Sequence, residues 1–342
     1  MSVYTQVRTW RLALVAAGAG LAVFSLHGRF PAWPAVWAVL TQARPAWLML
    51  AVLFQVVSMG AAAGQQQHLL AALHVRMTAR ASLSVTYARA AMSIGLPAGS
   101  ALSTAYAFRQ FRARGADNRS AAAVLVLCGV ASVASLATLY AVDLAAWTLP
   151  GRSRYPVLAS ALALTVAAAL LARRAGRRRA GTTRPVPCPR DTRLGRLLAM
   201  TGETLRLTTT ITVTRWSAVA GLAALNWIAD AAGLFAGVRA VGLTVPVRDV
   251  LTAYLAVQVV RQIPVTPGGI GIAEASLFVT LTAAGADETP ATAAVLIYRV
   301  LSYWAVLPVG LACWTAQQAR TRPTTADPGA DKVAPAHVPG TA

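Results

Sequence analysis

Residues 264–271 read PVTPGGIG and interrupt an apolar stretch that runs from 250 to 285. Proline and glycine both disfavour the interior of a helix, so the sequence predicts a short helix on each side of this break. Each half has about 14–16 residues, or roughly 21–24 Å of helix, which is short for a hydrocarbon core of about 30 Å. We therefore expect a helical hairpin that enters and leaves on one side, with a pair of tilted full spans as the alternative.

A second apolar stretch, 81–114, is interrupted in the same way at 97–99, which reads PAG. A shift of 170 residues places this break on the PGG of the first break, and twelve residues are identical over 97–132 at that offset. The shared sequence GAD, at 115–117 and again at 285–287, is the most specific part of the match. The sequence therefore predicts an internal duplication, with repeat 1 at about 46–142 and repeat 2 at about 216–316.

The charges around the two hairpins predict that the repeats have opposite orientations. Basic residues flank the first hairpin, whereas mainly acidic residues flank the second. The residues beside the first hairpin are Arg76, Arg80, Arg109, Arg112 and Arg114, and the acidic residues beside the second are Asp249, Asp287 and Glu288. Arginine accumulates on the cytoplasmic side of membrane proteins, so the first hairpin should open inward and the second outward. Inverted repeats with broken helices are typical of alternating-access transporters.

The composition indicates an integral membrane protein. Of the 342 residues, 56% are apolar and only 12% are charged, and the mean hydropathy is +0.56. Soluble domains are usually about 25% charged. The longest polar stretch, at about 173–196, is too short for a catalytic domain, and three widely spaced cysteines exclude a secreted disulfide scaffold.

Six further apolar runs predict membrane-spanning helices. The fold class we expect is an all-α integral membrane protein with about six transmembrane helices and two broken, re-entrant hairpins in an inverted repeat. The six predicted spans cover residues 12–26, 46–70, 121–142, 156–171, 216–238 and 291–316.

The net charge of +20 is explained by membrane topology. All but one of the 31 basic residues are arginine, and the predicted topology places 21 arginines inside and 6 outside. This bias predicts a multi-pass protein of the cell membrane with both termini in the cytoplasm. The arginines of the basic loop fix this topology or, alternatively, bind anionic lipid headgroups.

The predicted organisation has four parts. A cytoplasmic N-terminus at 1–9 precedes a transmembrane domain at 10–320, and the first apolar run is expected to be a retained helix rather than a cleaved signal peptide. A basic cytoplasmic loop at 172–214 separates the repeats, and the tail at 321–342, rich in proline, threonine and alanine, is expected to be disordered.

The broken helices are the first candidate site. Unpaired backbone groups are tolerated at membrane depth only inside protein or beside a wet cavity, and glycines let a ligand approach the backbone closely. The free N–H groups of a helix start suit a phosphate. The candidate residues are Pro267, Gly268, Gly269 and Gly271 in repeat 2, and Pro97, Gly99 and Ser100 in repeat 1; two structural kinks are the alternative.

Charged residues inside the apolar stretches are the second candidate, because such residues are costly in a membrane and usually functional. They are Asp230, Arg261, Glu274 and Arg299, together with Arg89 in the first hairpin. We expect Arg261 and Arg299 to meet a phosphate and Glu274 to meet a cationic headgroup or a proton. The alternative is a structural ion pair of Glu274 with Arg299 or Arg261.

No sequence pattern points to an enzyme. The four histidines lack metal-ligand spacing, and the chain has no nucleotide-binding loop or hydrolase motif. We therefore expect no metal, no cofactor and no catalytic residue. We also expect no nucleic-acid partner, because membrane topology explains the basic residues.

The stretch 263–275, IPVTPGGIGIAEA, followed by YR at 298–299 and SYW at 302–304, resembles the lysylphosphatidylglycerol synthetase transmembrane family, also called the flippase-like membrane domain family. The LPAG at 96–99 looks like the upstream signature of that family. The resemblance covers most of 10–317 and implies re-entrant helices and movement of aminoacylated phosphatidylglycerol between leaflets. It also implies that Pro267, Gly268, Gly269, Gly271, Glu274 and Arg299 are functional residues.

The chain lacks the soluble synthase domain of the two-domain members, so we expect it not to make the lipid. The leading hypothesis is a transporter that translocates an anionic or aminoacylated phospholipid, or a polyprenyl-phosphate lipid. The alternative is a non-transporting membrane module that recruits cell-envelope enzymes through its basic loop. A membrane glycosyltransferase is less well supported, because only Asp287 and Glu288 supply an acidic pair on an outer loop.

Overall fold

The structure is a computed structural model that describes residues 32–96, 99–148, 211–262, 269 and 271–321. All regular elements within these ranges are helical, in agreement with the predicted all-α class. The predicted spans at 12–26 and 156–171, nearly all of the basic loop and almost the whole tail lie outside the described residues.

The described part contains ten α-helices and one π-helical turn. In chain order they are α1 (Trp33–Thr41), α2 (Pro45–Ala72), α3 (Ala79–Gly95), α4 (Gly99–Arg112), α5 (Asn118–Thr148), α6 (Val213–Ala240), α7 (Val247–Gln262), α8 (Ile272–Ala283), α9 (Glu288–Arg299), the π turn (Val300–Trp304) and α10 (Val306–Thr321).

Four helical stretches are long and apolar enough to cross a membrane: α2, α5, α6 and the combined stretch Glu288–Ala319. Large apolar side chains on these stretches face outward, including Met49 and Val133, which are 74% and 68% exposed. Apolar side chains that stay exposed along a helix are expected where the solvent is lipid rather than water. The chain is therefore an all-α membrane protein.

The span predicted at 291–316 is not one regular helix. It consists of α9, the π turn and α10, and the N–H of Ala305 donates to the carbonyl oxygen of Val300 at 2.8 Å in the wider π pattern. Pro308 follows and has no N–H to donate to the preceding turn, which weakens the α-helical pattern here. The sequence predicted one continuous span here and did not indicate the change of helix type.

The two hairpins break where the sequence predicts. Helices α3 and α4 have 17 and 14 residues, and α7 and α8 have 16 and 12. At about 1.5 Å per residue, most of these helices are too short to cross about 30 Å of hydrocarbon unaided. Gly99 starts α4 very close to the end of α3, since a Cβ atom added there would lie 2.3 Å from the carbonyl oxygen of Met92.

The helices recur at the offset found in the sequence. Helices α2, α3 and α4 correspond to α6, α7 and α8, and α5 corresponds to the stretch from α9 to α10. The start of α5 at Asn118 and the start of α9 at Glu288 differ by the same 170 residues. The contacts follow this correspondence, because α3 packs on α4 as α7 packs on α8, and α2 packs on α5 as α6 packs on α9.

The turn around each GAD sequence has the same conformation in both repeats. Gly115 and Gly285 have φ values of +90° and +88°, which glycine adopts at low cost. The N–H of the next residue, Ala116 or Ala286, donates to the carbonyl oxygen of the residue five positions earlier, at 3.1 and 3.0 Å. The aspartate that follows precedes a helix, and hydrogen bonds from Ser120 hold the pKa of Asp117 below its usual range.

Helices α2 and α6 are equivalent in the two repeats and pack on each other at the centre of the molecule. Small residues allow the close approach: a Cβ added at Gly64 would lie 3.3 Å from the side chain of Leu222. Ser58 of α2 donates to the amide oxygen of Asn226 in α6 at 3.1 Å. The buried apolar residues form two cores. One lies mainly among α2–α5 and includes Val219 and Ala223 of α6, and the other lies mainly among α6–α9 with Tyr140 of α5 packed against it.

Candidate functional site

An ion pair joins two helix ends within repeat 2. Arg299 is the last residue of α9 and Glu274 lies in the first turn of α8. The Nε of Arg299 donates to Oε1 of Glu274 at 2.5 Å. The Arg299 side chain is 3% exposed, whereas the Glu274 side chain is 23% exposed. The ion pair therefore joins a buried cation to a partly exposed acidic side chain.

The start of α8 holds the carboxylate in place. The second oxygen of Glu274, Oε2, accepts the backbone N–H of Gly271 at 2.7 Å. Gly271 has φ +84° and ψ −51°, and Gly269 has φ +70°, so both occupy backbone conformations that suit glycine. A carboxylate in the first turn also interacts favourably with the helix dipole.

Arg299 keeps donor capacity that no group in the described part of the chain uses. Its guanidinium carbon lies 4.4 Å from the centre of the Tyr303 ring, a cation–π contact. Its Nη2 is buried and has no hydrogen-bond partner among the described residues. Tyr303 lies in the π turn that follows Arg299, and such turns are frequent at functional sites.

Asp230 of α6 forms the second polar centre of this region. Its Oδ2 accepts hydrogen bonds from the hydroxyls of Tyr254 at 2.9 Å and Tyr298 at 3.2 Å. Arg261 of α7 lies within electrostatic range of both Asp230 and Glu274. Its Cγ would lie 3.6 Å from a Cβ added at Gly269, so the arginine stem runs beside the broken segment.

The structure thus brings together six of the residues predicted from sequence: Asp230, Arg261, Gly269, Gly271, Glu274 and Arg299. Of the two ion pairs considered from sequence, the one with Arg299 is formed. Pro97, Pro267 and Gly268 lie outside the described residues.

The two remaining candidates belong to the other repeat. Gly99 is buried at the start of α4. Ser100 is exposed, and its carbonyl oxygen accepts the hydroxyls of Ser103 and Thr104 at 2.9 and 2.8 Å. These residues are separate from the Glu274–Arg299 pair.

Sequence reasoning missed the role of Tyr254, and the tyrosine hydroxyls were not expected to hold Asp230. A signal was present, because Tyr254, Gln258 and Arg261 recur at helical spacing in an otherwise apolar helix and so share one face. The Gln258 side chain is buried on that face, and its Nε2 has no partner among the described residues.

The described residues hold no group of three or more histidine, cysteine or acidic side chains suited to a metal ion. The charged groups of the site are two arginines and two carboxylates, with tyrosine hydroxyls between them. Such an arrangement can bind a group that carries both a negative and a positive charge.

Comparison with known proteins places the chain in a family. A family model described as lysylphosphatidylglycerol synthase TM region matches residues 9–310, which is most of the chain. No curated protein matches the sequence significantly.

Proposed function

The chain belongs to the lysylphosphatidylglycerol synthase TM-region family, and from that premise we propose that it is a lipid transporter of the cell membrane. Its substrate is a lipid with a phosphate in its headgroup: an anionic or aminoacylated phospholipid, or a polyprenyl-phosphate lipid. The family description supports a membrane domain with a lipid-related role, and the residues around Arg299 support binding of the phosphate.

One observation carries the proposal: Arg299 is buried, yet its Nη2 is unused among the described residues. A guanidinium binds phosphate oxygens through two parallel N–H groups. In this proposal a lipid phosphate takes the Nε and Nη2 donors of Arg299. Glu274 is then released to bind the amine of an aminoacylated headgroup, or a proton when the lipid has no amine.

The repeats supply the second half of the argument. Helices recur at the 170-residue offset, α2 packs on its equivalent α6, and the candidate site lies at the break before α8. If the copies are inverted, as the flanking charges predict, rocking one against the other exposes the site alternately to each leaflet.

The test is a translocation assay in proteoliposomes with fluorescent phosphatidylglycerol, its lysyl derivative and a fluorescent polyprenyl phosphate. We expect the intact protein to move at least one of these lipids, and Glu274→Gln and Arg299→Ala to reduce its rate at least about tenfold, the scale of losing one charged hydrogen bond. Glu288→Gln is the matched control, because Glu288 is an exposed carboxylate at the start of α9.

Unchanged rates in both variants would overturn the site. The recruitment hypothesis makes the opposite prediction: deletion of 173–196 abolishes function in cells, while substitutions at Glu274 and Arg299 have no effect.

A further inference from the structure

A separate polar cavity lies in repeat 1. Its volume is about 480 Å³, and it is lined by side chains of α2, α3, α4 and α5 together with Asn226 of α6. Met59, Leu125 and two alanines provide apolar parts of the wall, and hydroxyl and amide groups provide much of its polar part. Cavities that hold small ligands usually measure about 300–1,000 Å³ and combine apolar walls with a few polar groups.

Arg89 of α3 is the one charged residue that lines this cavity among the described residues. Its Nη1 donates to Oε1 of Gln66 at a long 3.3 Å. Its Nε is buried and has no hydrogen-bond partner in the described part of the chain. None of the described carboxylates forms an ion pair with it.

Gln66 is fixed with its oxygen toward Arg89. The Nε2 of Gln66 donates to the carbonyl and hydroxyl oxygens of Ser82, both at 2.8 Å, and to the hydroxyl of Thr86 at 3.0 Å. This side chain is 1% exposed, so the network orients the arginine from within the protein core. A single neutral amide oxygen does not neutralise the guanidinium.

The Arg89 side chain is half-buried. A cation that is partly removed from water without a counter-ion is unfavourable, and a hydrogen-bonded anion would offset that cost. Ser93 lies one helical turn beyond Arg89 and lines the same cavity, so its hydroxyl can add a donor on that helix face. No carboxylate lines the cavity among the described residues to repel an anion.

We propose that this cavity is a second binding site, which takes a phosphate-bearing anion through the guanidinium of Arg89. Its volume exceeds that of a free phosphate and suits a phospholipid headgroup with its glycerol. The site is distinct from the Glu274–Arg299 pair, and the proposal holds whether or not the protein transports lipid.

The test measures binding without transport. Calorimetric titration of the purified full chain in detergent uses two probes, short-chain phosphatidylglycerol and inorganic phosphate, with diacylglycerol as the uncharged comparison. We expect Arg89→Gln to weaken binding of a phosphate probe by about 10- to 100-fold, the effect of losing hydrogen bonds to a charged group. Arg89→Lys should lose less, because it keeps the charge.

A second pair of variants tests the cavity without changing Arg89, in case the arginine variants do not fold. Gly129 lines the cavity, and a Cβ added there meets nothing within 4 Å, so Gly129→Leu should fill the space and weaken binding. Gly60→Leu is the matched control, because Gly60 is equally unobstructed and does not line the cavity.

The probes separate the sources of the anion. If Arg89→Gln and Gly129→Leu lose binding of phosphatidylglycerol alone, the natural ligand is a lipid headgroup. If they lose binding of inorganic phosphate alone, the ligand is free phosphate. If they lose binding of both probes, the site recognises the phosphate group itself. Each of these outcomes supports the proposal. Equal binding in the intact protein, Arg89→Gln and Gly129→Leu, or no binding of either probe to the intact protein, would overturn it.

Discussion

Glu274 links Arg299 to Gly271: one carboxylate oxygen lies 2.5 Å from the arginine Nε, and the other accepts the glycine N–H at 2.7 Å. A single side chain thereby ties the end of α9 to the glycine-rich break before α8. A ligand that displaces the carboxylate from Arg299 would also loosen this break. Binding and movement of the broken helix are therefore coupled in our account.

The first prediction concerns the stability that this link provides. Glu274→Gln should lower the free energy of unfolding by about 2–3 kcal/mol, less than the roughly 3–5 kcal/mol for a fully buried pair, because the carboxylate is partly exposed. Thermal unfolding in detergent measures this. Glu288→Gln, at an exposed position, should change stability by less than about 0.5 kcal/mol. Equal stability of both variants would show that the pair contributes nothing.

The second prediction concerns the backbone at Gly271. A Cβ added there meets nothing within 4 Å among the described residues, so Gly271→Ala tests the positive φ rather than crowding. We expect a loss of about 1–3 kcal/mol from backbone strain. Gly221→Ala, which is also unobstructed but lies within α6, should be neutral or slightly stabilising. An equally harmless Gly271→Ala would contradict the conformation described.

The third prediction concerns packing between the repeats. A Cβ added at Gly310 of α10 would lie 2.3 Å from the carbonyl oxygen of Tyr87 and 2.5 Å from the Cβ of Ala91, both in α3. Gly310→Ala should therefore cost about 1–3 kcal/mol through overpacking. Gly60→Ala is the control, because nothing lies within 4 Å of that position. Similar melting temperatures for the two variants would mean that α3 and α10 are farther apart.

The fourth prediction concerns the two hydroxyls on Asp230. Tyr254→Phe and Tyr298→Phe should each cost about 1.5–3 kcal/mol, the effect of removing a hydrogen bond to a charged group. The double variant should cost more than the sum, because the carboxylate then loses both donors. Tyr87→Phe serves as the control, since no hydrogen bond of its hydroxyl occurs in the described residues. Strict additivity would indicate that the two bonds act independently.

Much of the fold can be predicted from the sequence, because long apolar runs and proline–glycine breaks are local signals. The spans predicted to begin at 121 and 291 start three residues earlier in the structure, at the first residues of α5 and α9. The π turn is different. Pro308 is a local signal for a disturbed helix, but the proline alone does not specify that Val300–Trp304 takes the π form.

The candidate site could be predicted in part for a similar reason. Charges such as Glu274 and Arg299 are conspicuous in an apolar segment. The choice of partner depends on how α8 and α9 pack, and that packing is a property of the whole fold. The cavity around Arg89 could be identified only from the structure. Gln66 lies on α2, Ser82 and Arg89 lie on α3, and the sequence does not specify how these two helices contact each other.

The central claim is that two copies of one unit lie in opposite orientations around a transport path. Ala113 and Ala283 test it most directly, because both are exposed and they are related by the 170-residue offset. Single cysteines at these positions, in a background without Cys128, Cys188 and Cys313, are treated in intact cells with an impermeant maleimide. We predict that Ala283→Cys reacts in intact cells and that Ala113→Cys reacts only after permeabilisation. Equal behaviour of the two variants, whether both react in intact cells or neither does, would contradict the inverted arrangement and the alternating-access account built on it.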